Sequence, residues 1–250
     1  MQSLIDLKTP HNPKRGIYLL PNLLTTGALF AGFFSIILAL KGRYEEAATA
    51  IFIAMIFDSL DGRVARMTRT QSAFGAEYDS LSDLVSFGVA PALILYIWGL
   101  GELDKFGWLT TFFYVTATAL RLARFNIIGS QDKRFFRGLP CPAAAGFVMA
   151  ALWVAYDYGL QGRAYSILFA GLLLVAAGLM ISNFLYYSFK DVDLKHRVHF
   201  YVMLVMITIG LVVLLDPPRV LLAAFGLYAL LGPLTWVRQR LKTRKVKVKA

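Results

Sequence analysis

Charge is what this chain has least of. Only 16% of its 250 residues are Asp, Glu, Lys or Arg, whereas 58% are hydrophobic. Soluble domains average about a quarter charged and somewhat under half apolar, so this composition belongs to an integral membrane protein. Cysteine is nearly absent too. The single Cys141 excludes an intrachain disulfide, and its place between Pro140 and Pro142 reads as loop packing. No signal peptide is expected, because the first twenty residues hold Pro10, Pro13 and charge but no apolar core. The net charge of +11 does not point to nucleic acid. Its densest run, Arg238 to Lys249, directly follows an apolar segment, as basic segments that sit on anionic membrane lipid do.

What the chain has in abundance is apolar segments of membrane-spanning length, and eight are read: about 20–40, 44–66, 73–99, 107–127, 142–160, 164–184, 198–215 and 220–237. They predict an all-α protein with a cytoplasmic segment 1–19, one polytopic domain 20–237 and a basic cytoplasmic tail 238–250. Lys and Arg set the orientation. With both termini inside, twenty-one basic residues fall on the cytoplasmic side, and only Lys41, Arg43, Lys105, Arg163 and Arg219 on the other. No separate soluble domain and no internal repeat is evident.

The second span is the unusual one. Its apolar stretch, Ala47 to Phe57, is 11 residues, about half a bilayer at helical rise. To finish crossing, it must continue through Asp58, Asp61 and Arg66. Carboxylates at membrane depth are costly and mark functional sites. Asp58 and Asp61 are three residues apart, and Asp79 and Asp83, at the start of the third span, are four apart. On helices each pair shares a face, and the topology lets both pairs converge near the cytoplasmic surface. Four like charges there need protons or cations between them. Oxygen ligands without His or Cys favour a hard ion such as Mg²⁺, Mn²⁺ or Ca²⁺ over zinc. The structural alternative makes these residues helix caps and salt-bridge partners of Arg63, Arg66 or Arg69.

Residues 58–83 also read D-x-x-D-G-x-x-A-R-x(8)-G-x-x-x-D-x-x-x-D. This resembles the signature of the CDP-alcohol phosphatidyltransferases at every fixed position. The resemblance implies a core of six transmembrane helices, here with two added at the C-terminus, and displacement of CMP from a CDP-linked donor by an alcohol. It implies that Asp58, Asp61 and Asp79 bind a pair of divalent ions holding the donor pyrophosphate, with Asp83 at the same centre as the base for the acceptor hydroxyl. Gly62, Ala65, Arg66 and Gly75 would lie near the CDP group, and a homodimer is expected.

Further segments resemble the phosphatidylserine synthase branch of that family: Pro21 to Thr25, Ser82 to Pro91, Leu120 to Asn126 and Gly138 to Ala143. That branch implies CDP-diacylglycerol and L-serine as substrates, at the inner membrane of a prokaryote with the site cytoplasmic. Asn22 and Thr25, opening the first span, could face the nucleotide, although Asn22 could equally cap a helix. Arg121 and Arg124, with Asn126, could bind the serine carboxylate, since a guanidinium fork suits a carboxylate; anchoring to headgroups is the other reading. Glu77 is expected to pair with an arginine. No histidine has a Lys two residues on, which excludes the H-x-K chemistry of the phospholipase D type. Two competing readings stay open. One is the same chemistry with glycerol 3-phosphate or an inositol phosphate as acceptor, and the other a cation-binding transporter.

Overall fold

The computed structural model describes residues 19–128, 135–187, 208 and 210–247. Within these the chain is helical almost throughout: α1 (Leu19–Leu40), α2 (Tyr44–Thr68), α3 (Ala73–Asp83), a π-helical turn (Leu84–Val89), α4 (Ala90–Trp98), α5 (Asp104–Ile128), α6 (Cys141–Asp157), α7 (Gly162–Ile181) and α8 (Pro217–Lys247). Four helical stretches are long and apolar enough to cross a membrane on those grounds alone: Leu19–Leu40, Ala73–Trp98, Gly162–Ile181 and Pro217–Trp236. The protein is thus an all-α, multi-pass membrane protein. The outward faces are apolar, as lipid contact requires, with Phe30, Phe112, Ile167 and Leu227 all exposed.

Seven of the eight expected segments coincide with described helices. The segment expected at 198–215 lies mostly outside the described residues, as do residues 1–18, His196 and His199. α8 runs without a break across the point where the basic tail was expected to begin.

Two features depart from simple spans. Phe135–Arg137 and Leu185–Tyr187 form a two-stranded antiparallel ribbon, β1 and β2, with Phe136 opposite Tyr186. Three-residue strands carry too little periodicity to be read from sequence. The other departure is the π turn, which interrupts an otherwise continuous rod immediately after Asp83. Such turns occur mostly as single insertions in α-helices, often at functional sites. Pro91, just beyond it, has no N–H to give to the preceding turn. The carbonyl of Phe87 four residues earlier instead accepts the buried Tyr114 hydroxyl of α5 at 3.1 Å.

Small residues let α1 lie directly on this turn. Ser82 and Ser86 donate to the α1 carbonyls of Thr25 and Ala28, each at 3.1 Å. At Gly32 a Cβ atom would stand 2.6 Å from the Ser86 Cα, so only glycine fits. Replacing Gly32 by Val is therefore expected to push α1 off the turn. Overpacking of this kind costs about 1–3 kcal/mol. Thermal unfolding in detergent should show a lowered midpoint, together with reduced activity, because Thr25 rides on the same helix.

Candidate active site

α2 and α3 are joined at the site's edge by a short, closely bonded turn. α2 ends at Arg69, whose φ of 55° is left-handed and whose N–H returns to the Ala65 and Arg66 carbonyls. α3 begins at Ser72, whose side chain caps the Gly75 N–H at 3.0 Å. This turn brings the two aspartate pairs face to face. Carboxylate oxygens of Asp58, Asp61 and Asp79 lie within 4.8 Å of one another. Asp61 is buried and the other two are half-buried.

The fourth carboxyl, on Asp83, is within hydrogen-bonding reach of Asp58 and within electrostatic range of Asp79 and Arg121. Two carboxyls so close need a proton or cation between them. Oxygens within 4.8 Å of one another can bind one hard cation, since bonds of about 2.1–2.5 Å place such ligands about that far apart or less. The donor set is all carboxylate, as Mg²⁺, Mn²⁺ or Ca²⁺ prefers. The residues present fit a divalent ion.

α1 completes this side of the site. The Thr25 hydroxyl sits 2.6 Å from Asp61 Oδ2 and 3.1 Å from the Pro21 carbonyl oxygen, so it can donate to either. A hydroxyl donated to a ligand carboxylate fixes the direction in which that carboxylate offers its lone pairs. Asn22 lies beside Gly75, its Oδ1 3.5 Å from where a Cβ would stand. Among the described residues outside its own turn of helix, a Cβ at Gly62 would meet the Arg66 guanidinium, also at 3.5 Å, which leaves the backbone there room for a ligand. Ala65 contributes its carbonyl to the α2 terminus, and the Arg66 side chain is exposed.

The three acceptor residues expected on α5 separate. Arg121 lies within electrostatic range of Asp83, and its Nη1 donates to the Cys141 Sγ at 3.1 Å. Its Nε is buried without a hydrogen-bond partner among the described residues. Arg124 instead donates to Asn183 at 2.7 Å. Asn126 bridges to α3 through Ser80 at 3.1 Å and Glu77 at 3.5 Å. Glu77 thus meets an amide, and no ion pair to an arginine joins it among the described residues. Cys141 is more than loop packing: it is the first residue of α6, fully buried, and it accepts the Arg121 bond. Ser82, Ser86, Tyr114 and Cys141 all support the site, and none was picked out for that role in the sequence. Ser82 and Ser86 adjoin Asp83 in sequence, whereas Tyr114 and Cys141 reach this region from later helices.

A cluster of three carboxylates able to hold a divalent ion, set on two helices of a multi-pass membrane protein, is the candidate centre. The comparisons then fix the group. Residues 18–182 match the family model described as CDP-alcohol phosphatidyltransferase, and the chain belongs to that family. It is similar to the CDP-diacylglycerol--serine O-phosphatidyltransferase of Helicobacter pylori (strain J99), with 38% identity over 230 residues, 91% of this chain and 94% of that protein. The protein of the same name from Methanocaldococcus jannaschii is 33% identical over 82% of this chain and 90% of its own length. The archaetidylserine synthase of Methanothermobacter thermautotrophicus is 36% identical over 67% and 69%.

Proposed function

We propose that this protein transfers the phosphatidyl group of CDP-diacylglycerol to the hydroxyl of L-serine, giving phosphatidylserine and CMP. The observation that carries the chemistry is the convergence of Asp58, Asp61 and Asp79, with Asp83 reaching Asp58 from the adjoining turn of α3. The relatives named above, each named for a serine or archaetidylserine product, support the acceptor. The positive-inside asymmetry supports a cytoplasmic site, in the inner membrane of a prokaryote. A homodimer and anionic lipid as a surface partner are further expectations.

In this reading the CDP group lies against α1 and α2, where Gly62 and Gly75 leave room for it and Asn22 and Arg66 border it. Asp58, Asp61 and Asp79 hold the divalent ions, most simply two of Mg²⁺ or Mn²⁺. When bound, the ions supply positive charge that offsets the pyrophosphate and the leaving CMP. The chain's own groups do the rest. Asp83 accepts the proton of the serine hydroxyl, and that oxygen forms a bond to the β-phosphorus as the bond to CMP breaks. Arg121 offers the buried Nε–H to the serine carboxylate, a charge-assisted bond in a site screened from water. Holding hydroxyl and phosphorus together removes much of the entropic part of the barrier. Thr25 contributes by orienting Asp61 rather than by touching substrate.

An acceptor panel tests the assignment. Purified protein is given CDP-diacylglycerol, Mg²⁺ or Mn²⁺, and in turn L-serine, glycerol 3-phosphate or inositol phosphate, and the lipid product is identified by mass spectrometry. Phosphatidylserine is the expected product, with the other acceptors at background. A phosphatidylglycerophosphate or inositol lipid in its place would keep the chemistry and discard serine.

A further inference from the structure

Contacts on either side of Arg121 set its level against the rod of α3, the π turn and α4. Tyr114, Thr118 and Arg121 are spaced four and three apart, so they share one face of α5. The Tyr114 hydroxyl donates to the Phe87 carbonyl at 3.1 Å, and a Cβ at Gly88 would stand 3.1 Å from the Thr118 methyl. Farther along α5, Asn126 donates to Ser80 at 3.1 Å. α5 thus runs antiparallel to the rod. Arg121, between Thr118 and Asn126, comes level with Asp83, between Gly88 and Ser80.

The segment that meets Arg121 at this level is itself pinned. The Gly138 and Leu139 N–H groups donate to the Phe184 and Leu179 carbonyls at 2.9 and 3.0 Å. Gly138 has a φ of 79°, and a Cβ there would run into the Met180 carbonyl, so glycine is required. Met180 in turn has its Sδ 3.7 Å from the Thr118 hydroxyl of α5. Cys141, flanked by Pro140 and Pro142, opens α6 and is fully buried. Its Sγ is thereby fixed relative to α5, 3.1 Å from Arg121 Nη1.

The consequence of this bond lies in the shape of a guanidinium. Nη1 is the terminal nitrogen on the Cδ side. Engaging it leaves the opposite edge, made by Nε–H and an Nη2 N–H, which a carboxylate can meet side-on with two bonds. The Nε on that edge is buried and has no hydrogen-bond partner among the described residues. A thiol sulphur takes the Nη1 bond without cancelling the positive charge, as a carboxylate in its place would.

We infer that Cys141 is a positioning residue for the acceptor: its sulphur holds Arg121 by Nη1, so that the Nε edge stays open and charged for the serine carboxylate beside Asp83. This rests on the reading of Arg121 as the group that receives that carboxylate.

Steady-state kinetics of Cys141→Ala and Cys141→Ser, with L-serine and CDP-diacylglycerol varied separately, test it. Losing a hydrogen bond to a charged group is worth about a tenfold change. Cys141→Ala is expected to raise the KM for serine about tenfold, with the KM for CDP-diacylglycerol and kcat within about twofold of the original. Cys141→Ser, which restores a neutral acceptor, should recover most of that loss. Cys141→Val takes the place of the Ala variant if the latter does not fold. An unchanged KM for serine overturns the inference. So does an equal rise in both KM values that Ser does not reverse, which would make Cys141 a packing residue only. Arg121→Gln separates the two readings. If it leaves the KM for serine unchanged, the assignment of Arg121 fails and this inference with it. If it raises that KM while Cys141→Ala does not, only the role of Cys141 fails.

Discussion

Asp83→Asn is expected to lower CMP release by about a thousandfold, in the range that general-base catalysis contributes, while the KM for CDP-diacylglycerol stays within about twofold of the original. The side chain keeps its size, so the packing of α3 against α1 and α5 is retained. Only the capacity to take a proton is removed. The split matters because Asp83 sits apart from the three-carboxylate cluster, reaching it through Asp58. Were Asp83 mainly a holder of the donor, the substitution would raise the donor KM and leave kcat closer to its original value. A single set of initial rates at several donor concentrations separates the two outcomes.

The second large effect is metal removal. A chelator such as EDTA is expected to bring turnover to background, with Mg²⁺ or Mn²⁺ restoring it and a soft ion failing to do so, because every candidate ligand is a carboxylate oxygen. Asp61→Ala should imitate chelation at any metal concentration. Thr25→Val should be milder and more informative. It removes the hydroxyl 2.6 Å from Asp61 but leaves the carboxylate. Losses of such an outer partner typically cost about 10–100-fold in metal affinity. The metal concentration for half-maximal rate should rise by that factor, with the saturated rate largely preserved. Full activity of the chelated protein would remove the metal centre from the mechanism.

Much of this was legible in the sequence. The helices follow from runs of apolar residues of bilayer length, and the aspartate spacings of three and four place each pair on one helix face wherever those helices go. That α2 and α3 bring the pairs together follows from the short connection between them. Other features could not be read. The π turn after Asp83 has no local propensity signal; only Pro91 and the small residues Ser86 and Gly88 hint at a break, and the partner that makes it tolerable, Tyr114, is 27 residues from Phe87. Arg121 and Arg124 are equivalent by spacing and composition. They differ because Arg121 meets Cys141 on one helix face, within electrostatic range of Asp83, while Arg124 reaches Asn183 from the other. The docking of α8 depends on Gly146 and Gly232 facing the bulky rings of Phe225 and Tyr186. A pairing of small with large across distant segments leaves no mark in either segment alone.

The most direct single measurement is CMP release by the purified protein in detergent, supplied with CDP-diacylglycerol and Mg²⁺ or Mn²⁺, with and without L-serine. Release that requires serine, yields phosphatidylserine in equal amount, and vanishes with chelator is the predicted result. Folded protein that releases no CMP with any alcohol, yet carries cations across proteoliposomes, would contradict it and make the carboxylates a transport site.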